Sequence, residues 1–114
     1  MNQESSNEGK IEVLYGEGWY IEGDRKISGK IILGETKLYL KNIQGDLPQS
    51  FIALEKIVSL KKVKEGILIN IRLSLNNSYQ AAIIANRSNL RYLLEELVKR
   101  LGLKKKFLQS EWIK

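Results

Sequence analysis

The chain has 114 residues, 43% of them hydrophobic and 28% charged, with one proline, nine glycines, no cysteine and no histidine, which suits one domain with one core. Without cysteine or histidine it lacks disulfides, thiolate nucleophiles, Cys-ligated zinc, the commonest general base and the commonest metal ligand, so most familiar enzyme constellations are excluded. The formal charge of +6 is uneven: residues 1–86 carry 11 basic and 10 acidic side chains, residues 87–114 carry 8 and 3, and the basic character belongs to the C-terminal part.

The opening MNQESSNEG is polar and without periodicity, and residues 1–9 are expected to be a disordered leader. It has no basic region followed by an apolar stretch, so a cytoplasmic location is expected. No apolar run approaches the ~18 residues of a membrane span. From Lys10 onward, short apolar stretches are cut by glycine-containing turns (IEVLY, GWYIEG, ISGKIIL, TKLYLK), a strand pattern. Trp19 and Tyr20 are neighbours in the first strand and must face opposite sides, so only one of them belongs to the core. In Thr36 to Lys41, Leu38 and Leu40 point one way and Lys37, Tyr39 and Lys41 the other, as in a sheet with one wet face. Gly34-Glu35 reads as a tight hairpin turn with glycine at positive φ.

Asn42 to Gln49 gathers turn formers and the single proline, which predicts the longest loop. Phe51 to Leu54 and Ile57 to Val63 follow as strands with a bend at Glu55-Lys56, and Glu65-Gly66 makes the next turn. Ile67 to Leu75 alternates, with Ile67, Ile69, Ile71, Leu73 and Leu75 on one face. Asn76-Asn77 suits a two-residue hairpin turn because asparagine tolerates the left-handed region, and Ser78 to Ala85 returns as the last strand of the series. The period then changes. Leu90, Leu93, Leu94, Leu97, Val98 and Leu101 share one helix face, with Glu95, Glu96, Lys99 and Arg100 opposite. Asn86 or Ser88 can cap the start, Gly102 can end it, and Glu95–Lys99 and Glu96–Arg100 are favourable i,i+4 pairs. Residues 103–114 lie past the glycine and read as a basic and aromatic tail.

Seven candidate strands, a long central loop and a C-terminal amphipathic helix resemble the pleckstrin-homology (PH) and GRAM superfamily of split barrels. Gly29-Lys30-Ile31-Ile32-Leu33, a turn and Lys37-Leu38-Tyr39-Leu40 resemble the hairpin of GRAM-type and bacterial PH-like domains. Ile52-Ala53-Leu54-Glu55-Lys56-Ile57 is similar to their following I-P-L-x-x-I element, with Ala53 in place of proline. The same elements resemble the N-terminal PH-like domain of archaeal taxis adaptors of the CheF family, which link the chemotaxis response regulator to the archaellum motor. The resemblance implies a PH-like domain over residues 10–102, a seven-stranded split barrel capped by the helix, acting as a non-enzymatic, protein-binding adaptor.

It also implies where an anionic lipid would bind, namely basic residues on the first strands and the loop between them. Here these are Arg25, Lys26 and Lys30, with Asp24 among them; Lys61, Lys62 and Lys64 form a second cluster that would enlarge such a site. For the first cluster an exposed hairpin tip carrying ordinary solvating charge is the better reading; for the second, a charged edge that blocks strand pairing explains the residues equally well. Lys104, Lys105 and Lys106, followed by Phe107, Leu108, Trp112 and Ile113, combine a basic run with aromatics and are the candidate partner-binding segment. The alternative is that Phe107 and Trp112 fold back as core. A protein partner is expected, with anionic lipid or a membrane surface as the alternative. Nucleic acid is not, because residues 1–86 carry a net charge of only +1. The acidic residues are scattered and no glycine-rich loop opens a helix, so neither an enzyme, a cofactor nor a metal is expected.

Overall fold

The period-two stretches form strands and the period-3.6 stretch forms a helix in the computed structural model, which describes residues 12–44, 48–106 and 110–114. The expected leader, residues 1–9, lies outside the described residues. In chain order the elements are β1 (Val13–Glu22), β2 (Arg25–Leu33), β3 (Lys37–Lys41), β4 (Pro48–Ala53), a 3₁₀ turn (Leu54–Lys56), β5 (Ile57–Val63), β6 (Gly66–Ser74), β7 (Asn77–Ile84), α1 (Arg87–Leu101), β8 (Lys104–Lys105) and β9 (Glu111–Ile113). No helix among the described residues is long and apolar enough to cross a membrane.

All strand pairs are antiparallel and form one unclosed sheet in the order β4-β3-β2-β1-β7-β6-β5-β9-β8. That order dictates a curl. β5 lies six strand spacings from β4, roughly 29 Å across a flat sheet at ~4.8 Å per spacing. Yet only Leu54–Lys56 join them, a link that reaches at most about 14 Å. The sheet therefore bends until its inner faces meet, and the core is a single cluster: Leu33, Leu38 and Ile52 from one half, Ile57, Ile69 and Ile83 from the other, and Leu93, Leu94 and Leu97 from α1.

The helix forms as its sequence predicts. The Asn86 side chain accepts the Asn89 N–H at 2.9 Å. Gly102, at φ 64°, donates its N–H to Lys99 O while Leu103 N–H goes to Val98 O, a Schellman ending that needs the left-handed conformation glycine adopts without strain. Leu93 and Leu97 are fully buried, Leu90 and Leu94 nearly so. Arg100 bonds Glu96 at 3.0 Å and donates to the Gly34 carbonyl at 2.5 Å, tying the end of the helix to the β2–β3 turn.

Several expectations need correction. Among the described residues there are nine strands, not seven, because the segment after Gly102 continues the sheet: Leu103 is buried and β9 pairs with β5. Val13 to Tyr15 and Gly18 to Glu22 belong to one strand, with a register shift between Leu14 and Glu17 absorbed by Gly16 at φ 84° rather than a turn. The positive-φ glycines among the described residues are Gly16, Gly23 and Gly102. Gly34 instead closes its turn with an N–H to Lys37 O bond of 2.8 Å. β4 begins at Pro48, earlier than expected, at the first position of an edge strand where a missing N–H does no harm. The β6–β7 turn falls at Leu75-Asn76, with Ser74 opposite Asn77; burial on β6 stops at Ile71, and Leu73 and Leu75 are exposed because the hairpin outruns the core. Tyr39 is buried although it lies on the expected wet face. It sits opposite Ile32 and Phe51 and its hydroxyl donates to Glu12, so that face carries an apolar row of its own.

Trp19 and Tyr20 do divide between the faces, at 42% and 2% exposure. The Tyr20 hydroxyl donates to Glu22 at 2.5 Å. Burial, then Glu22, pushes the Tyr20 phenol far up, and burial raises Tyr79 beside it. Both phenols are thereby held in their neutral form.

Candidate functional site

α1 buries one side on the sheet, and in the row beside it Leu90 and Leu94 are almost fully buried while Val98 is half-buried. Leu90, Leu94 and Val98 recur every four residues and floor a groove of about 780 Å³ together with Ile67 of β6. The next row of the helix is Arg87, Arg91, Glu95 and Lys99, forming one rim. The facing rim comes from the β5–β6 turn, with Lys62 and Lys64, and from the last two strands, with Lys105 and Trp112. Six cations and one carboxylate thus surround an apolar floor. The ion pairs among the described residues are Lys41–Glu12 and Glu96–Arg100, so no carboxylate of the described residues lies within ion-pair distance of any of the six cations. Arg91 lies over the Tyr92 ring at 5.0 Å and Lys105 over Trp112 at 5.8 Å.

The far wall owes its shape to the tail. β9 lies along β5, with Leu60 opposite Trp112 and Lys61 opposite Glu111, and Lys62 N–H bonds Ser110 O at 2.8 Å. β8 adds Lys105 opposite Trp112. Trp112 packs half-buried against the core.

The candidate residues named from the sequence separate. Lys62, Lys64, Lys105 and Trp112 converge on the groove. Lys61 is the strand neighbour of Lys62 and points to the opposite face, as Lys104 does relative to Lys105. Lys106 is exposed and donates its backbone N–H to Glu111 O at 2.8 Å. Phe107 and Leu108 lie outside the described residues. The first cluster divides as well: Lys26 and Lys30 alternate onto the outer face, whereas Arg25 is opposite Glu22 on the other. Lys26 lies over the Trp19 ring at 4.7 Å, beside a shallow hollow shared with Ser28 and Ile43. Arg87, Arg91 and Lys99 were not among the candidates. The signal for them is the four-residue spacing of basic residues next to the Leu90, Leu94, Val98 row.

Among the described residues no three of His, Cys, Asp and Glu are grouped to hold a metal ion. The groove has cations and apolar surface, which suit binding. No protein-family model matches the sequence, and no curated protein matches it either.

Proposed function

We propose that the chain is a PH-like interaction module without catalytic activity that binds a protein partner and serves as an adaptor. The observation that carries this reading is the groove beside α1, where an apolar floor lies between two rims bearing six cations and one carboxylate. Apolar floors with polar rims are how protein surfaces gain affinity and orientation together. The PH-like part of the proposal is supported by the strand order from β4 to β5, by the curl that this order demands, and by a helix following β7. The resemblance to archaeal taxis adaptors makes taxis signalling the proposed setting.

The test compares the intact chain with a Lys64→Glu/Arg91→Glu variant as immobilised baits in extract of the host cells. Vesicles of phosphatidylcholine with phosphatidylserine are sedimented in parallel. One protein retained in stoichiometric amount by the intact chain and lost from the variant supports the reading. If no protein is retained, and the chain instead sediments with anionic vesicles and loses that binding on replacing Arg25, Lys26 and Lys30 with alanine, the anionic-lipid alternative takes its place.

A further inference from the structure

The groove has a length, a charge pattern and a backbone environment, and together they specify what it holds. Resting on the protein-binding reading above, we propose that its occupant is an acidic amphipathic α-helical segment of the partner, apolar stripe down and carboxylates against both rims.

Length comes first. Arg87 and Lys99 both line the groove, and twelve residues of helix span about 18 Å at ~1.5 Å per residue. The cations therefore form an extended row rather than a point, and Lys62, Lys64 and Lys105 repeat the charge on the opposite wall. A single carboxylate, as on a fatty acid, would meet one or two of them and leave the others facing each other. Three turns of an acidic helix match the row from end to end.

The backbone decides between a helix and an extended strand. A peptide that adds to a sheet needs an edge with free N–H and C=O groups. β5 is paired with β6 on one side and with β9 on the other, β6 lies between β5 and β7, and the edge that does border the groove, β8, is two residues long, too short to template an added strand. The helix wall offers only side chains. Recognition there runs through side-chain packing, and a segment that satisfies its own backbone while presenting a stripe at i, i+3, i+4 and i+7 is a helix.

The floor fits that stripe. Leu90 and Leu94 are 8% and 7% exposed and sit beside half-buried Val98 and Trp112, an apolar strip continuous with the core. Glu95 is the one acidic group on the rim. It would oppose an acidic occupant at mid-groove, which makes it a handle for a gain of affinity.

The experiment titrates the intact chain with a fluorescent synthetic peptide of about four helical turns, leucine at the stripe positions and glutamate elsewhere, reading anisotropy and the NMR signals of Leu90, Leu94, Val98 and the Trp112 indole. Three controls accompany it: a scrambled peptide of the same composition, the same stripe with lysine for glutamate, and laurate. The proposal expects binding by the first peptide with shifts at those four residues, weakening as salt rises. It also expects at least about tenfold weaker binding in Lys64→Glu/Arg91→Glu and about threefold or more tighter binding in Glu95→Lys, all exposed positions that leave the circular-dichroism melt in place. Equal binding of the scrambled peptide overturns it, since charge alone would then suffice. Laurate shifting the same signals while the peptide does not overturns it in favour of an acyl carboxylate. If no peptide binds but the host protein captured above is still lost from the charge-reversal variant, the helical class is wrong and the protein-binding reading stands. If that capture fails as well, both fall.

Discussion

Ending the chain after Gly102 separates a tail that is merely attached from one that is built in. The structure predicts a clear loss of stability. Leu103, 7% exposed, belongs to the core cluster, and its N–H closes the helix on Val98 O; burying such a side chain contributes about 1.5–3 kcal/mol. Half-buried Trp112 contributes about 1–2 kcal/mol more on the same scale, and its loss uncovers Leu60 opposite it. The backbone entropy regained by freeing two short strands roughly offsets the hydrogen bonds lost with them. The surplus is the apolar burial, about 2.5–5 kcal/mol against a total of ~5–15. At ~4–8 °C per kcal/mol for a domain of this size, the melting temperature should fall by about 10 °C or more. Circular dichroism reads the melt, and fluorescence in a Trp19→Phe background reads Trp112, which should emit at shorter wavelength than a solvated indole. A truncated chain that melts within about 5 °C of the intact one, together with solvated emission from Trp112, would refute the assignment of the tail to the sheet.

Leu97→Asp should unfold the domain, because a carboxylate at a fully buried position costs several kcal/mol; Leu75→Asp, at 92% exposure, should leave the chemical-denaturation midpoint unchanged. Gly16→Ala should lower the melting temperature, since φ is +84° and the added methyl would meet the Asn89 side-chain amide, an expected cost of at least ~1 kcal/mol. Burial, then Glu12, pushes the Tyr39 phenol up to about 12. The unfolded chain therefore gives up that proton first as pH rises past the ordinary value of 10.0, so stability should decline with pH from there until about 12 and level off once the folded phenol ionises too. Tyr39→Phe should flatten part of that decline in alkaline melts, and an unchanged slope would argue against the burial of this phenol.

What the sequence makes legible is what its local physics decides. Leu90 to Leu101 repeats at 3.6 over three turns between an asparagine cap and a glycine stop, and no other arrangement satisfies all three signals. Ile67, Ile69 and Ile71 alternate in the same way. The misreadings arise where the deciding neighbour is far along the chain. Leu73 and Leu75 continue the alternation of β6 but have no core beneath them, and only the curl of the whole sheet determines where the core ends. Tyr39 alternates onto the outer face and is nevertheless buried, by Ile32, Phe51 and Glu12, which come from three other segments. β8 and β9 are two and three residues long, too short to carry a period, and β5, the strand that β9 pairs with, lies some fifty residues earlier.

The groove was partly visible for the same reason. Lys62, Lys105 and Trp112 stand out individually as a charge cluster and a basic-aromatic tail, but nothing local joins them to each other or to α1. On the helix, Arg87, Arg91 and Lys99 look like an ordinary solvated face, the usual fate of charge at i,i+4 spacing. They become a site only because the tail returns along β5, walls off the neighbouring row of Leu90, Leu94 and Val98 from open solvent, and adds Lys105 across from them. The pairing that buries Trp112 for stability also closes the β5 edge, so the segment that completes the core leaves side-chain packing as the means of recognition on that wall. Stability and the proposed binding meet in the segment after Gly102: Leu103 is buried in the core, the Trp112 indole packs half-buried against the core and lines the groove, and Lys105 lines the groove opposite it.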